Sequence, residues 1–155
     1  MPILKEEMLK GLDVLYPIEY TQQISDNIDK FLIPMNGIRS AYGIPMTVDS
    51  GWRSQKVNEE CGGAASSKHL IGLAVDIQDL DCKLWTWVID NLELMQKLEI
   101  YFEDKRWTAH WVHFQLGGPR SGHRIYIPND KPAPAPSIWS GVYDHKFDSD
   151  LPVQP

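Results

Sequence analysis

Apolar residues recur at Ile24, Ile28, Phe31, Leu32, Met35 and Ile38, steps that predict an amphipathic helix over Thr21 to Arg39. Pro34 lies inside it and, lacking an N–H, is expected to kink or split it. "IPMTVDSGWR" reads as a short strand, Met46 to Asp49, running into a Ser-Gly turn. "SQKVNEECGG" reads as a short helix closed by glycine. "LAVDI" is a strand, and the spacing of Leu84, Trp85, Val88, Leu92 and Met95 predicts a second long helix from Cys82 to Leu98. "EIYFED" follows as a strand. In "HWVHFQL", Val112, Phe114 and Leu116 alternate with Trp111, His113 and Gln115, the two-residue period of a half-buried strand. "HRIYI" makes a last strand. Helices and strands in this order, with short connections, predict an α+β fold with a small, mainly antiparallel sheet.

Size and charge narrow the class. A chain of 155 residues is one ordinary domain with room for a core. Its net charge of −6, with no dense Lys/Arg cluster, argues against nucleic acid as a partner and against attachment to an anionic membrane. No stretch approaches the ~20 apolar residues of a membrane span, so no membrane insertion is expected. The N-terminal "MPILKEEMLKGLDVLYP" lacks the pattern of a signal peptide, so the expected place of synthesis is the cytoplasm, without export by that route. Cys61 and Cys82 are expected to be free thiols. Beyond Pro128 the segment "NDKPAPAPS" is a stiff spacer. The expected division is therefore a domain over residues 1–128, then a spacer and aromatic tail over residues 129–155. Trp139, Tyr143 and Phe147 in that tail suit folding back or docking on a partner.

The chemistry concentrates in His69, Asp76 and His113, each at or beside a predicted strand. Two imidazoles and a carboxylate are good zinc ligands, and a catalytic zinc keeps three protein ligands. A cation would also neutralise Asp76, which sits between Val75 and Ile77 and would be costly to bury unpaired. Gly72 lets the chain turn so that two of the ligands converge. His110, three residues before His113, is placed to act as a base. In a regular strand those two histidines face opposite ways, so that role requires a bend near Ala109. Taken singly, a strand histidine, an aspartate after valine, a surface Arg53 and the tryptophans Trp107 and Trp111 are all ordinary parts of a fold.

Together, "SGWRS", "NEECGGAASSKHLIGLAVDI" and "WVHF" resemble, in order and spacing, the zinc peptidases that include D-alanyl-D-alanine carboxypeptidases, D-Ala-D-Ala dipeptidases and phage L-alanyl-D-glutamate endolysins. The resemblance covers about Ile24 to Ile127 and is strongest towards phage-encoded members. It implies the Hedgehog/DD-peptidase fold, one Zn²⁺ per chain, and His69, Asp76 and His113 as its ligands. It implies His110 as the catalytic base, where the family commonly has Glu or Asp. Arg53 would hold a substrate carbonyl or carboxylate, Ser67 would support the site by hydrogen bonding, and Trp52 and Trp111 would bind substrate or support the site. Trp52 stands where the family usually has tyrosine.

The activity so implied is hydrolysis of an amide bond in the peptidoglycan stem peptide of the bacterial wall, by an endolysin-like or D,D-carboxypeptidase-like enzyme. It would act after release from the cell or from the virion, with the tail offering contact to a phage structural partner. A non-catalytic, zinc-stabilised virion or wall-binding module is the alternative, because fold alone does not fix function. A cytoplasmic D,D-dipeptidase acting on the free dipeptide is a third reading.

Overall fold

The period-two pattern gives each strand one face for the core and one for the chemistry. In the computed structural model, which describes residues 1–119, 122 and 124–126, five strands are present. They are β1 (Val48–Ser50), β2 (Ala74–Gln78), β3 (Ile100–Glu103), β4 (Trp111–Leu116) and β5 (Ile125–Tyr126). The sheet order is β1-β2-β4-β3-β5, antiparallel throughout except for the parallel β3–β5 pair. Val75, Ile77, Ile100, Phe102, Val112 and Phe114 are completely buried on one side. Asp76, Glu103, Trp111, His113, Gln115 and Tyr126 line a cavity on the other.

Among the described residues, six α-helices accompany the sheet: α1 (Lys5–Leu9), α2 (Leu12–Leu15), α3 (Gln22–Tyr42), α4 (Gln55–Glu60), α5 (Lys83–Asp90) and α6 (Leu92–Lys97). Ile28, Phe31, Met35 and Ile38 of α3, with Trp85, Val88 and Met95 of α5 and α6, join the apolar sheet residues in one cluster. Trp85 meets Phe102 edge-on at 5.5 Å between ring centres, a favoured aromatic geometry. The architecture is α+β, as the pattern predicts. No helix among the described residues is long and apolar enough to cross a membrane.

Two helix expectations need correction. Pro34 does not split α3, which runs unbroken from Gln22 to Tyr42. The carbonyl that loses its partner belongs to Lys30, an exposed residue, so water can replace the missing donor. The expected helix from Cys82 to Leu98 is instead two, α5 and α6, broken at Asn91 with φ −123° and ψ 34°. The Asn91 amide donates to the Trp87 carbonyl at 2.8 Å, the side-chain competition that disfavours asparagine inside helices. Cys61 and Cys82 are both free and exposed. The spacer and tail assigned to residues 129–155 lie outside the described residues, as does the proposed domain boundary at 128.

Candidate metal centre

Strand register delivers two of the three candidate ligands. Asp76 on β2 pairs directly with His113 on β4, so both side chains leave the sheet on the same face at the same level. His69 comes from a single 3₁₀ turn, Lys68–Ile71, that leads into β2. Ser67 caps this turn, its hydroxyl accepting from the His69 N–H at 3.3 Å. Gly72 ends it with φ +77°, and a Cβ at that position would press on Ile28 of α3 at 2.7 Å. Only glycine satisfies both the backbone conformation and the close approach. The turn is further tied to the loop after β1, where the Arg53 N–H donates to the His69 carbonyl at 3.2 Å.

The result is a buried triad. His69 Nε2 lies 3.3 Å from both His113 Nδ1 and Asp76 Oδ1, and His113 Nδ1 lies 2.8 Å from Asp76 Oδ1. Ligands on a tetrahedral zinc with bonds of about 2.0–2.1 Å stand about 3.3–3.4 Å apart. The donor set fits that ion and two of the three separations match, while the His113–Asp76 pair at 2.8 Å is a hydrogen bond that an ion would open. The remaining ring nitrogens are held by acceptors that fix the tautomers. His69 Nδ1–H donates to the Gly51 carbonyl at 2.6 Å, leaving Nε2 as the lone-pair atom. His113 Nε2–H donates to Gln115 Oε1 at 3.2 Å, so Nδ1, whose proton faces Asp76 Oδ1 in the ion-free protein, is the atom a metal would take on displacing that proton. Gln115 is itself oriented, because its Nε2 donates to the Gly117 carbonyl and its Oε1 accepts from the Tyr126 hydroxyl at 2.6 Å.

Electrostatics follow from this packing. Burial acts to raise the Asp76 carboxyl, but attraction to His69 and hydrogen bonds with both histidines hold it well below the usual carboxylate range. Burial lowers His69, against the pull of Asp76. Burial also acts to lower His113, yet the charge of Glu103 and the contact with Asp76 outweigh it and push the ring up to about 9. Burial, then the charge of Glu103, raises the Tyr126 phenol and keeps it a donor. Arg53 reaches Asp76 Oδ2 with one terminal nitrogen at 2.7 Å and Ser50 with its Nε at 2.8 Å. The carboxylate is therefore compensated on both oxygens.

The triad opens onto a cavity of about 680 Å³ lined by Arg53, Ser67, Lys68, Glu103, Trp107 and Trp111 among others. A family model for peptidase M15 matches residues 6–111, more than half of the chain and including Arg53, His69, Asp76 and Glu103. The chain belongs to the peptidase M15 family. That family indicates a metallopeptidase, a hydrolase of peptide bonds. None of the curated proteins matches the chain. The M15 match ends just before His113, which the β2–β4 register brings to the centre independently.

The structure distributes the sequence candidates of this M15 peptidase unevenly. His69, Asp76 and His113 are together; Arg53, Ser67 and Trp111 line the same cavity. Trp52 is fully buried behind the site, where its indole N–H donates to the Leu70 carbonyl at 3.1 Å and its ring packs on Tyr20. It supports the 3₁₀ turn and does not reach the cavity. His110 is exposed on the turn before β4 and is not among the cavity residues; its carbonyl accepts from the Asp79 N–H at 2.8 Å. Neither Ala109 nor His110 is among the residues that line the cavity. Glu103 was not singled out in the sequence, yet it is the carboxylate that shares the cavity with Asp76. Its signal lay in "EIYFED", where Tyr101 and Glu103 alternate with Ile100 and Phe102, but the alternation does not say which strands neighbour one another.

Proposed function

We propose that the protein is a zinc peptidase that hydrolyses an amide bond in the peptide stem of bacterial peptidoglycan. The observation that carries this reading is the convergence of His69 Nε2, Asp76 Oδ1 and His113 Nδ1 at the floor of an open cavity. A zinc ion held by these three would supply Lewis acidity, polarising a carbonyl and making water acidic enough to ionise near neutral pH. The other roles fall to the chain itself. Glu103, on β3 with its charge felt at His113, is placed to accept a proton from the attacking water. As water oxygen bonds to the carbonyl carbon and the C–N bond breaks, Glu103 returns that proton to the departing amine. Arg53 keeps Asp76 ionised and has one terminal nitrogen left over for substrate oxygen. Glu103 thus takes the role that the resemblance implies for His110. The peptidoglycan substrate rests on the motif resemblance and on M15 membership.

The test is digestion of purified peptidoglycan by the zinc-loaded protein, with mass spectrometry of the released fragments. New amino groups at one bond type, lost on chelation and regained with zinc, are the expected result. Tight association with the wall and no release in any metal state would overturn the reading in favour of a binding module. Cleavage of free D-Ala-D-Ala with intact wall untouched would replace it with a precursor-pool dipeptidase.

A further inference from the structure

Besides its histidines, the cavity that holds the triad carries two basic side chains among the described residues, Arg53 and Lys68, and they stand in different states. Arg53 has its charge matched by Asp76 at 2.7 Å, with both side chains mostly buried. Lys68 is half-buried, and among the described residues its ammonium has no hydrogen bond or ion pair. Its backbone is nevertheless fixed. Its carbonyl accepts from the Leu73 N–H at 3.0 Å, and it occupies the first position of the 3₁₀ turn, next to His69. The side chain crosses from that turn to the end of β4, since a methyl group on Gly117 would lie 3.5 Å from its Nζ and 3.7 Å from its Cε. The ammonium therefore bridges the two elements that supply His69 and His113. A partly desolvated lysine without a counter-charge is unfavourable, and an anion entering the cavity would relieve that.

We propose that Lys68 selects substrates bearing a carboxylate close to the scissile amide, by a charge-assisted hydrogen bond from its ammonium. This rests on the reading of the site as a peptidase. Two carboxylates in a wall stem peptide share this chemistry: a C-terminal one, and the free α-carboxylate of a γ-linked glutamate. Lys68 is a specificity residue in this scheme and takes no part in proton transfer. A neutral peptide of the same shape fits the cavity without gaining the ammonium contact.

The experiment is an NMR titration of the zinc-loaded full-length protein with two matched pairs. One pair is N-acetyl-D-Ala-D-Ala and its C-terminal amide; the other is L-Ala-D-Glu with its γ-carboxyl capped as the methylamide, and the α-amide of that same compound. In the unaltered protein the carboxylate member of one pair binds about 10- to 100-fold more tightly than its amide, and the preferring pair identifies the source. Lys68→Met abolishes the preference, Lys68→Arg keeps most of it, and rising salt reduces it. Zinc content and melting temperature of both variants report that the fold is intact. No preference in either pair, or a preference that survives in Lys68→Met, overturns the proposal. If the protein cuts wall but shows no preference, Lys68 is only a solvated rim residue and the peptidase stands. If Lys68 governs binding while nothing is released from wall, the clamp stands and the peptidase falls.

Discussion

Asp76 is nearly inaccessible yet ionised, held between Arg53 on one oxygen and the two histidines on the other. A lone carboxylate in that position would be protonated or expelled, so the three partners explain how it survives between Val75 and Ile77. The same residues set the pH behaviour. In the ion-free protein at pH 7–8, His113, raised to about 9, carries a proton that zinc must displace. Zinc uptake there should release about one proton per ion, and affinity should climb roughly tenfold per pH unit until about pH 9 and then level off. Calorimetry in two buffers of different ionisation enthalpy measures this directly. Linkage also fixes the sign for stability without zinc: the His113 contribution is complete below its ordinary value of 6.5 and disappears as pH rises through about 9. Turnover separates the two candidate bases. Glu103→Gln should retain zinc and lose about 10²- to 10⁴-fold in kcat, whereas His110→Ala should stay within a few-fold of the unaltered protein. Asp76→Ala removes a ligand and strands Arg53, so zinc and roughly 3–5 kcal/mol of stability should go together in chemical denaturation.

At the scale of elements, the strands were readable because one face of each is continuously apolar. Val112 and Phe114, or Ile100 and Phe102, declare the core side, and whatever alternates with them faces the cavity. Strand neighbours were not readable, since β3 and β4 pair through a register that no local pattern encodes. Glu103 is hidden in the sequence for that reason, whereas His110 stands three residues before the last ligand, where the family resemblance implies a base. The helix errors have local causes: an exposed carbonyl forgives Pro34, and Asn91 bonds back to Trp87. Gly72 shows how an element depends on one backbone conformation. Gly72→Ala must accept a positive φ and push Ile28 aside, at a cost of about 2–4 kcal/mol. Gly43→Ala at the end of α3 meets nothing within 4 Å and should cost only the conformational part, about 1–2 kcal/mol. Denaturation midpoints of the two variants, compared side by side, test this difference.

Across the whole molecule the triad joins parts that secondary structure alone leaves separate. β2 and β4 belong to the sheet, while the turn carrying His69 rests on α3 through Gly72 and on the loop of Gly51 and Arg53. An ion gripping all three ligands ties the sheet to that helical support, so binding free energy becomes folding free energy. At a thousandfold excess of zinc over its Kd the fold should gain about 4 kcal/mol, and chelation should lower Tm by on the order of 10 °C. A thermal melt with and without chelator measures it, and an unchanged Tm would mean that the three ligands do not hold the ion jointly. His69 offers its far ring nitrogen and His113 its near one. An amide side chain can imitate either atom, but only with the matching reach: glutamine extends as far as Nε2, asparagine as far as Nδ1. His69→Gln and His113→Asn should therefore leave a crippled but shaped pocket, whereas the crossed replacements put their donor atoms in the wrong place altogether.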